Sequence, residues 1–557
     1  MKLVVLSDAQ KQRFFYGTCV ALGAVMLLTA KQTDPGVVAA AVLLGLASLY
    51  PLYFWLLGYS CGLPLWPLFV LINGVSAALP MVQTPDTLDA YSAGEIIVGG
   101  MTYVGFIVAG TVFWLCITGR APRPPKTLFM VSGARSTAIL FGFVGAGIFY
   151  FLNGVLYLIP LPGNTWQVAR GVCFSLNTMG IFVLAFYLGR GLLTKPQGWL
   201  LVILTTLTAA LMAQGLILAS AVVPVAMIFL GFILGSGKIP WKSLALAFVV
   251  VSILHPGKYA MRASYWGGGG VALITTLPAY YWEWFGYGLQ ELGGASGILT
   301  GPKEDSEATS VFERAGTIHM LLRVQKMSPA EVPFLNGITY QGIPQLLVPR
   351  FIYSEKGLAH TGNILLTVNY GVQSMEQAMG GTSIAWGLVT EAFANFGYLG
   401  VAGLSIFLAA FYSYFSRLSV GVPMTSLRFV VALLVMGAAV KADTMALFIT
   451  SQFQAIVGVS VAALFLMRRQ SNPFAETDGE ELRQMADGAR VKKADGHRGS
   501  NDHGQQVGPV KWGGFKPPKV APLSHRKAYE LAAARRKAEA GSLADEESTD
   551  VEQKTER

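Results

Sequence analysis

Twelve apolar stretches, each near the length of a membrane span, follow one another along this chain and restrict its fold more than any other feature. They lie near residues 14–30, 36–57, 63–80, 96–118, 137–160, 169–188, 198–215, 217–235, 241–255, 396–416, 427–442 and 445–467. About 20 apolar residues let a helix cross a hydrocarbon core about 30 Å thick. Because only helices and closed barrels satisfy the backbone in lipid, the series predicts an all-α, polytopic membrane helix bundle.

Composition and charge narrow the function classes as well. The chain is 53% hydrophobic and only 13% charged, which excludes an ordinary soluble domain. Its net charge of +10 comes mostly from short loops and a polar tail, so it does not indicate nucleic-acid binding. The cysteines fall in or beside the apolar stretches without metal-ligand spacing: Cys19, Cys61, Cys116 and Cys173. We therefore expect no disulfide framework, no metal site and no cofactor.

Lysine and arginine collect in alternate short loops, which predicts the orientation. The basic loops hold Arg120, Arg123, Lys126 and Arg135; Arg190 and Lys195; Lys238 and Lys242; Arg417 and Arg428; and Arg468 and Arg469. An acidic loop with Asp86, Asp89 and Glu95 falls on the other side. Since cytoplasmic loops carry the excess of positive charge, both termini are predicted to be cytoplasmic. The first stretch follows Lys11 and Arg13 and lacks a signal-peptide cleavage pattern, so it is expected to remain as an anchor.

The same features divide the chain into four regions. Residues 1–255 are predicted to form a nine-helix membrane region, and residues 256–395 a large folded extracytoplasmic loop. Residues 396–467 then supply three more membrane helices. Residues 468–557 are polar and poor in aliphatic clusters, which predicts a disordered cytoplasmic tail. Within that tail, residues 525–540 favour a transient basic helix, interpreted either as an anionic-lipid contact or as plain solvated chain.

Local patterns predict structure inside the long loop. His255-Pro256-Gly257 is expected to end the ninth span, because proline and glycine interrupt helices. Apolar positions recur at helical spacing from Ser310 to Met327. Ser328-Pro329-Ala330-Glu331 matches a capping box with proline at the first helical position, which predicts the start of another helix. Pro344 and Pro349 are expected to fix an extended path.

Cations in this loop suggest an anion site. Lys258 and Arg262 lie one helical turn apart at the outer membrane boundary, where they are either interfacial anchors or phosphate ligands. Arg350, Lys356 and His360 follow in LLVPRFIYSEKGLAH. Guanidinium groups form bidentate contacts with phosphate, and ammonium groups add a point charge. The spacing alone does not decide between anchoring and ligand binding.

Three further ionisable residues are candidates for chemistry. His319 and Arg323 lie one turn apart on the predicted helix, and His319 is either a packed histidine or a catalyst. Glu391 stands among apolar residues at the outer end of the tenth span. An ionisable group in that setting is costly and marks a functional candidate. The alternative role for Glu391 is a structural ion pair with one of the outer cations.

Four segments together resemble the bacterial oligosaccharide repeat-unit polymerases, the Wzy-type O-antigen and exopolysaccharide polymerases. They are HPGKYAMR, RVQKMSPAEVPFLNGITY, VPRFIYSEKGLAHTGN and TEAFANFGYLG, all within residues 255–400. The earlier segment GLPLWPLFVLIN is similar to a proline-rich span of that family. The chain departs from the family at Ser354-Glu355-Lys356, where a proline and an aspartate are expected before the lysine.

The resemblance implies a metal-independent glycosyl transfer at the outer face of the bacterial cytoplasmic (inner) membrane. The donor would be an oligosaccharide on undecaprenyl pyrophosphate, and the acceptor a second lipid-linked repeat unit. Implied partners are this lipid-linked oligosaccharide, membrane lipids, and a chain-length regulator or export machinery. The implied pyrophosphate ligands are Lys258, Arg262, Arg350 and Lys356, with Arg323 and Arg170 supporting them. Glu391 is the preferred general base, and His319 or His360 the reserve.

Two other functions fit parts of the pattern. A ligase that moves a finished glycan onto another acceptor would need the same cations, so the sequence does not separate it from a polymerase. A lipid-glycan flippase or other transporter would more often show internal repeats and charges in helices at the membrane midplane. Here the candidate charges cluster at one membrane face and repeats are not apparent, which favours an enzyme.

Overall fold

The computed structural model describes residues 8–28, 30–83, 88–131, 135–156, 159, 163–216, 218–266, 276–293, 317–348, 353, 357, 359–379, 384–438 and 444–475. Its long helices before the polar segment are α1 (Asp8–Leu28), α2 (Pro35–Leu56), α3 (Leu65–Gln83), α4 (Ala93–Thr118), α5 (Arg135–Leu156), α6 (Gly163–Gly189), α7 (Lys195–Ala213), α8 (Leu218–Ser236) and α9 (Trp241–Trp266). Then come α10 (Leu277–Gly293), α11 (Ile318–Met327), α12 (Ile343–Leu347), α13 (Thr361–Asn369), α14 (Met375–Met379), α15 (Leu388–Leu418), α16 (Leu427–Ala438) and α17 (Met445–Leu466). Two short strands, β1 (Thr127–Val131) and β2 (Met467–Ser471), pair with each other.

The fold class is an all-α membrane bundle, as the sequence predicts. Within the described ranges, seven helices are long and apolar enough to cross a membrane: α2 to α7 and α15. Helices α1, α8, α16 and α17 are apolar over shorter lengths. Each of the twelve predicted stretches coincides with a helix. Twelve crossings remain a prediction, because seven helices meet the length and composition that a crossing requires.

Three of the five loops predicted to be cytoplasmic meet at one end of the bundle, here called the basic end (residues 119–131, 419–426 and 467–475). Strand β1 pairs antiparallel with β2. The Asn472 side chain donates to the carbonyls of Pro125 (2.8 Å) and Gly421 (2.9 Å). Arg468 and Arg469, expected to open the disordered tail, lie in β2 instead. The folded part therefore extends to residue 475, and the rest of the tail lies outside the described residues.

At the opposite end the polar segment folds back onto the bundle. We call its described parts (317–348, 359–379 and 384–387) the cap segment. Gln325 Nε2 donates to Thr102 Oγ1 (2.9 Å), and the hydroxyls of Thr317 and Tyr103 lie 2.8 Å apart. Both partners belong to α4, so α11 is seated on that helix. The predicted extracytoplasmic loop is thus folded in the part that the structure describes.

The prediction that His255-Pro256-Gly257 ends the ninth span is wrong. Helix α9 continues through this segment to Trp266. Helix α10 packs against the interruption, and Trp284 Nε1 donates to the carbonyl of Leu254 (2.7 Å). A Cβ on Gly257 would lie 2.6 Å from the Gly288 nitrogen, so the glycine is used for close helix packing. The proline removes the helical bond to the Ser252 carbonyl, and close packing by α10 accompanies the continued helical path.

The predicted helix start at Ser328-Pro329-Ala330-Glu331 is also wrong, because the segment forms a turn. The amides of Glu331 and Val332 donate to the Met327 carbonyl (2.7 and 3.0 Å), so the turn closes α11. The Ser328 hydroxyl lies 2.8 Å from the Tyr370 hydroxyl and does not cap a new helix. A tertiary partner has replaced the local capping interaction.

The extended path expected at Pro344 is not found. Pro344 lies in the first turn of the short helix α12, where a missing N–H is tolerated. Pro349 lies outside the described residues. The helical stripe predicted from Ser310 to Met327 is confirmed for Ile318–Met327, and its earlier part lies outside the described residues.

Two apolar cores hold the molecule together. The larger one joins α2–α4 and α6 with α11 and α15–α17. The smaller one joins the ends of α5, α7 and α8 to α9 and α10, around Met261, Tyr280 and Trp284. This division separates the two clusters of candidate site residues.

Candidate functional site

Glu391 lies in the first turn of α15 and has 0% of its surface exposed. Its Oε2 accepts the backbone N–H of Met445 at 2.6 Å. Met445 begins α17, and Thr444 before it makes no side-chain cap bond. A helix N-terminus carries a partial positive charge, so it stabilises a carboxylate at this position. Glu391 thus takes the place of the capping residue of another helix.

The second carboxyl oxygen of Glu391 has spare hydrogen-bonding capacity. A Cβ on Gly362 would lie 3.5 Å from Oε1, which places this atom against the first turn of α13. The Thr339 hydroxyl lies beside the carboxyl, and no hydrogen bond to Oε1 is assigned among the described residues. A buried acceptor left without a donor typically costs about 1–3 kcal/mol, so it calls for an explanation.

Asn395 ties the cap segment to the helical turn that carries Glu391. Its Nδ2 lies 2.8 Å from both Thr339 Oγ1 and the Glu391 carbonyl. Its Oδ1 accepts the Gly337 N–H at 2.9 Å. Next to this network, burial first and the nearby Glu391 carboxyl second raise the pKa of Tyr340. The side chain of Asn395 therefore fixes the distance between Thr339 and Glu391.

Helix α15 breaks just after Asn395. Gly397 has φ +61° and ψ −145°, a conformation that residues with a side chain rarely adopt. The break frees the carbonyls of Ala394 and Asn395, which accept the N–H groups of Leu335 (3.0 Å) and Asn336 (3.1 Å). The cap segment thus continues the hydrogen bonding that the interrupted helix gives up.

Three of the four family-like segments meet at Glu391. Gly337 and Thr339 come from LNGITY, Gly362 from AHTGN, and Asn395 from EAFANFG. The sequence identified Glu391 as a candidate but did not identify Thr339, Asn395 or the Met445 amide as its neighbours. Asn395 stands four residues after Glu391, and this helical spacing was the available signal.

The fourth segment, HPGKYAMR, lies on α9 in the smaller core. Arg262 Nη2 donates to the Leu216 carbonyl at 2.8 Å. Lys258 is half-buried one turn earlier on the same helix. The nearby Tyr265 hydroxyl donates to Glu283 of α10 at 2.8 Å. Helix α9 packs mainly on α10, so the described contacts do not bring Lys258 or Arg262 to Glu391.

The remaining candidates are distributed over the cap segment. Arg323 donates from Nε to the Tyr370 carbonyl (2.7 Å) and from Nη2 to the Gly371 carbonyl (3.3 Å). It therefore occupies the C-terminal end of α13, where a cation is favourable. His360 is exposed and precedes the other end of α13, two residues before Gly362. His319 is half-buried, four residues before Arg323 on α11.

Arg170 stands apart on α6. Its guanidinium lies 5.7 Å from the centre of the Phe174 ring, and the side chain is exposed. The adjacent Gly171 packs against Gln454 of α17, so Arg170 shares a helix neighbour with Glu391 without touching it. The two remaining predicted phosphate ligands, Arg350 and Lys356, lie outside the described residues.

Comparison with known proteins does not identify a family for this chain. No family model, no curated protein and no solved structure matches this chain. The resemblance to repeat-unit polymerases therefore rests on the four segments, three of which converge on Glu391.

Proposed function

We propose that this protein is a membrane glycosyltransferase that joins lipid-linked oligosaccharide repeat units, with Glu391 as the general base. The observation that carries the proposal is the buried Oε1 of Glu391, for which no hydrogen bond is assigned among the described residues, at the meeting point of three family-like segments. A general base needs an acceptor atom within hydrogen-bond reach of the substrate proton. The bond from Met445 holds Oε2 in place and leaves Oε1 for that task.

In the proposed reaction, a hydroxyl oxygen of the acceptor sugar attacks the anomeric carbon of the donor. A new C–O bond forms, and the bond between the anomeric carbon and the pyrophosphate oxygen breaks. The hydroxyl proton passes to Glu391, and negative charge develops on the leaving pyrophosphate. Fixed cations stabilise that charge in the transition state. The proposal gives this role to Lys258, Arg262, Arg350 and Lys356, with Arg323 and Arg170 supporting.

The contacts of the cap segment refine these roles. Arg323 is already bound to two carbonyls at the end of α13, so its contribution is to hold that helix in place. His360 stands at the other end of α13, beside the glycine that faces Glu391. We therefore rank His360 before His319 as the reserve base, and as the residue closest to an entering substrate.

The proposal includes a location and an orientation. The protein would lie in the bacterial cytoplasmic membrane with twelve crossings, both termini inside and the cap segment outside. Support comes from the meeting of three predicted cytoplasmic loops at the basic end and from the position of the cap segment at the other end. The excess of lysine and arginine in the former group favours a cytoplasmic position.

A conservative substitution of Glu391 tests the proposal. Glu391→Gln keeps the shape of the side chain but removes the proton acceptor, and loss of a general base costs about 10²–10⁴-fold in rate. The measurement is elongation of a lipid-linked repeat unit by the purified protein, beside its thermal stability. Glu376→Gln is the matched control, because Glu376 is exposed on α14 of the same cap segment.

Each result separates one explanation. Wild-type melting with a large loss of elongation, and a normal control, supports the base. Early melting with normal activity per folded molecule would assign Glu391 a structural role at the start of α17. Full activity with normal melting would exclude it from catalysis. In cells, a deletion that reduces a glycan ladder to one repeat indicates a polymerase, whereas loss of all attached glycan indicates a ligase.

A further inference from the structure

A groove of roughly 450 Å³ runs along the outer surface between α4 and α15. Its α4 wall is built from Val98, Met101, Thr102 and Gly105, and its α15 wall from Tyr398 and Val401. Both helices are among the seven that are long and apolar enough to cross a membrane. The lining is mostly apolar, so the groove suits a hydrocarbon chain that enters sideways from the lipid.

The floor of the groove is open because of one glycine. A Cβ added to Gly105 would meet nothing within 4 Å. By contrast, a Cβ on Gly99, on a different face of the same helix, would lie 2.5 Å from Leu322 of the cap segment. The open space therefore lies on the groove side of α4, and the side of α4 that carries Gly99 is filled by the cap segment.

One wall of the groove is continuous with the candidate site. Tyr398 comes directly after the break at Gly397. Its ring packs edge-on against Phe393 at 5.1 Å, and Phe393 is two residues from Glu391. The broken helix thus links the buried carboxyl, less than two helical turns before the break, to Tyr398 of the groove, which follows the break directly.

The cap segment closes the upper end of the groove and carries cations there. Gln325 donates to Thr102, a lining residue, at 2.9 Å. The next residue, Lys326, donates to the Ala90 carbonyl at 2.8 Å, and Arg323 lies one turn earlier on α11. Backbone carbonyls hold both cations without neutralising them, while Glu95 near Lys326 contributes one opposing charge.

These positions resemble the layout of an anionic lipid. Helical rise places Ala93, the first residue of α4, about 8 Å above Val98. The Lys326 ammonium donates to the Ala90 carbonyl, which precedes Ala93 in the chain. The ammonium therefore lies above the apolar groove, where the headgroup of a lipid in the groove would lie. We propose that the α4–α15 groove binds the polyprenyl chain of an anionic lipid, with its phosphate under α11. This inference rests on the proposed function, because it assigns the carrier lipid of the acceptor repeat unit in that reaction; the donor pyrophosphate keeps the ligands named above.

A second apolar groove, between α1 and α2, serves as the comparison. It is larger, roughly 780 Å³, and Lys31 stands near its mouth. The described contacts of its walls are with neighbouring bundle helices, and none leads to Glu391. Continuity with the candidate site is what distinguishes the α4–α15 groove.

Photocrosslinking tests the proposal on the full chain in nanodiscs that contain phosphatidylethanolamine and phosphatidylglycerol. The probe is a polyprenyl phosphate that carries a photoreactive group in its chain. We expect crosslinks on Val98, Met101 or Tyr398 that excess undecaprenyl phosphate removes and excess phosphatidylglycerol does not. Gly105→Phe should fill the groove and reduce these crosslinks at least about tenfold, or about 1.4 kcal/mol. Ala39→Phe, which fills the other groove, should leave them unchanged.

The outcomes separate this inference from the proposed function. Crosslinks that both lipids compete equally, or that Gly105→Phe does not reduce, mean ordinary membrane lipid and overturn the proposal. Normal elongation by Gly105→Phe would also overturn it while leaving the transferase intact. Specific crosslinks in a protein without any elongation activity would support the groove and reject the proposed function. Glu391→Gln should retain the crosslinks, because the groove does not depend on the base.

Discussion

Helices α9 and α15 both contain an interrupting glycine, yet α9 continues as a helix and α15 breaks. Helix α9 passes through Pro256 and Gly257, and its glycine lets α10 approach. Helix α15 has no proline at its break, and Gly397 turns the chain there through a positive φ. The neighbours decide the difference, because α10 supports α9 from outside whereas the cap loop binds the carbonyls that α15 releases.

The comparison shows which interruption serves a site. In α9 the Leu254 carbonyl and Gly257 contact α10, and Arg262 donates to the Leu216 carbonyl. In α15 the break aligns Asn395 with the cap segment, and Oε1 of the nearby Glu391 has no assigned hydrogen bond in the part of the chain that the structure describes. A helix break can store local strain. Such strain persists only where surrounding contacts hold the backbone in place, and it is most common at functional sites. We therefore assign proton transfer to α15, while the proposed contribution of α9 is limited to the charges of Lys258 and Arg262.

The comparison requires that α10 and the cap segment lie on the same side of the membrane. Cysteine labelling tests this, because each position is either labelled or not labelled from outside. Cysteines are placed at Glu376 in the cap segment, Glu291 on α10 and Leu192 at the opposite end of α6, with the native cysteines replaced. All three positions are exposed. An impermeant reagent outside intact cells should label Glu376→Cys and Glu291→Cys but not Leu192→Cys. Labelling of the first two from opposite sides would end the comparison.

Packing between α9 and α10 should be the next most sensitive feature. A Cβ on Gly288 would lie 2.0 Å from the Ile253 carbonyl oxygen, which is backbone and cannot move aside. We expect Gly288→Ala to lower the free energy of unfolding by about 3 kcal/mol, the upper end of the usual cost of overpacking. Gly286→Ala on the same helix meets nothing within 4 Å and is the matched control. Equal yields and melting temperatures for the two variants would show that the two helices are not in close contact.

Much of the fold follows from the sequence because its strongest signals are local. Runs of apolar residues predicted twelve of the helices but not α10, and the isolated charge of Glu391 marked a buried residue as the candidate. The errors fall where a distant partner outweighs a local preference. Ser328 bonds to Tyr370 in place of a helix amide, and Trp284 supports the carbonyl of Leu254 beside Pro256.

The residues that contact Glu391 could not be predicted from local sequence patterns. Thr339 and Asn395 are 56 positions apart in the chain, and nothing in either local pattern indicates that they pair. The Met445 amide carries no side-chain signal at all, because it is a backbone group. Arg323 shows a related gap: its charge suggested a supporting role at the phosphate, but its bonds to the carbonyls of Tyr370 and Gly371 were not predictable from the local pattern.

The break in α15 gives the last and smallest effect on stability, and the most specific one on activity. Gly397→Ala forces a side chain into a conformation that favours glycine, at a cost of about 1–3 kcal/mol. Its Cβ would also approach the Phe334 ring to 3.0 Å, a contact that a small ring movement relieves. We expect a modest fall in melting temperature but a larger fall in elongation per folded molecule, because Asn395 and Glu391 move when the turn relaxes.

Gly403→Ala is the matched control on the same helix, since a Cβ there meets nothing within 4 Å. Replacing an unstrained helical glycine by alanine stabilises by about 0.5–1 kcal/mol, so this variant should melt no earlier than the parent. If Gly397→Ala loses stability and activity in equal proportion, the break is merely structural. If it loses activity far more than stability, while Gly288→Ala loses mainly yield, the two glycines have the separate roles that their contacts indicate.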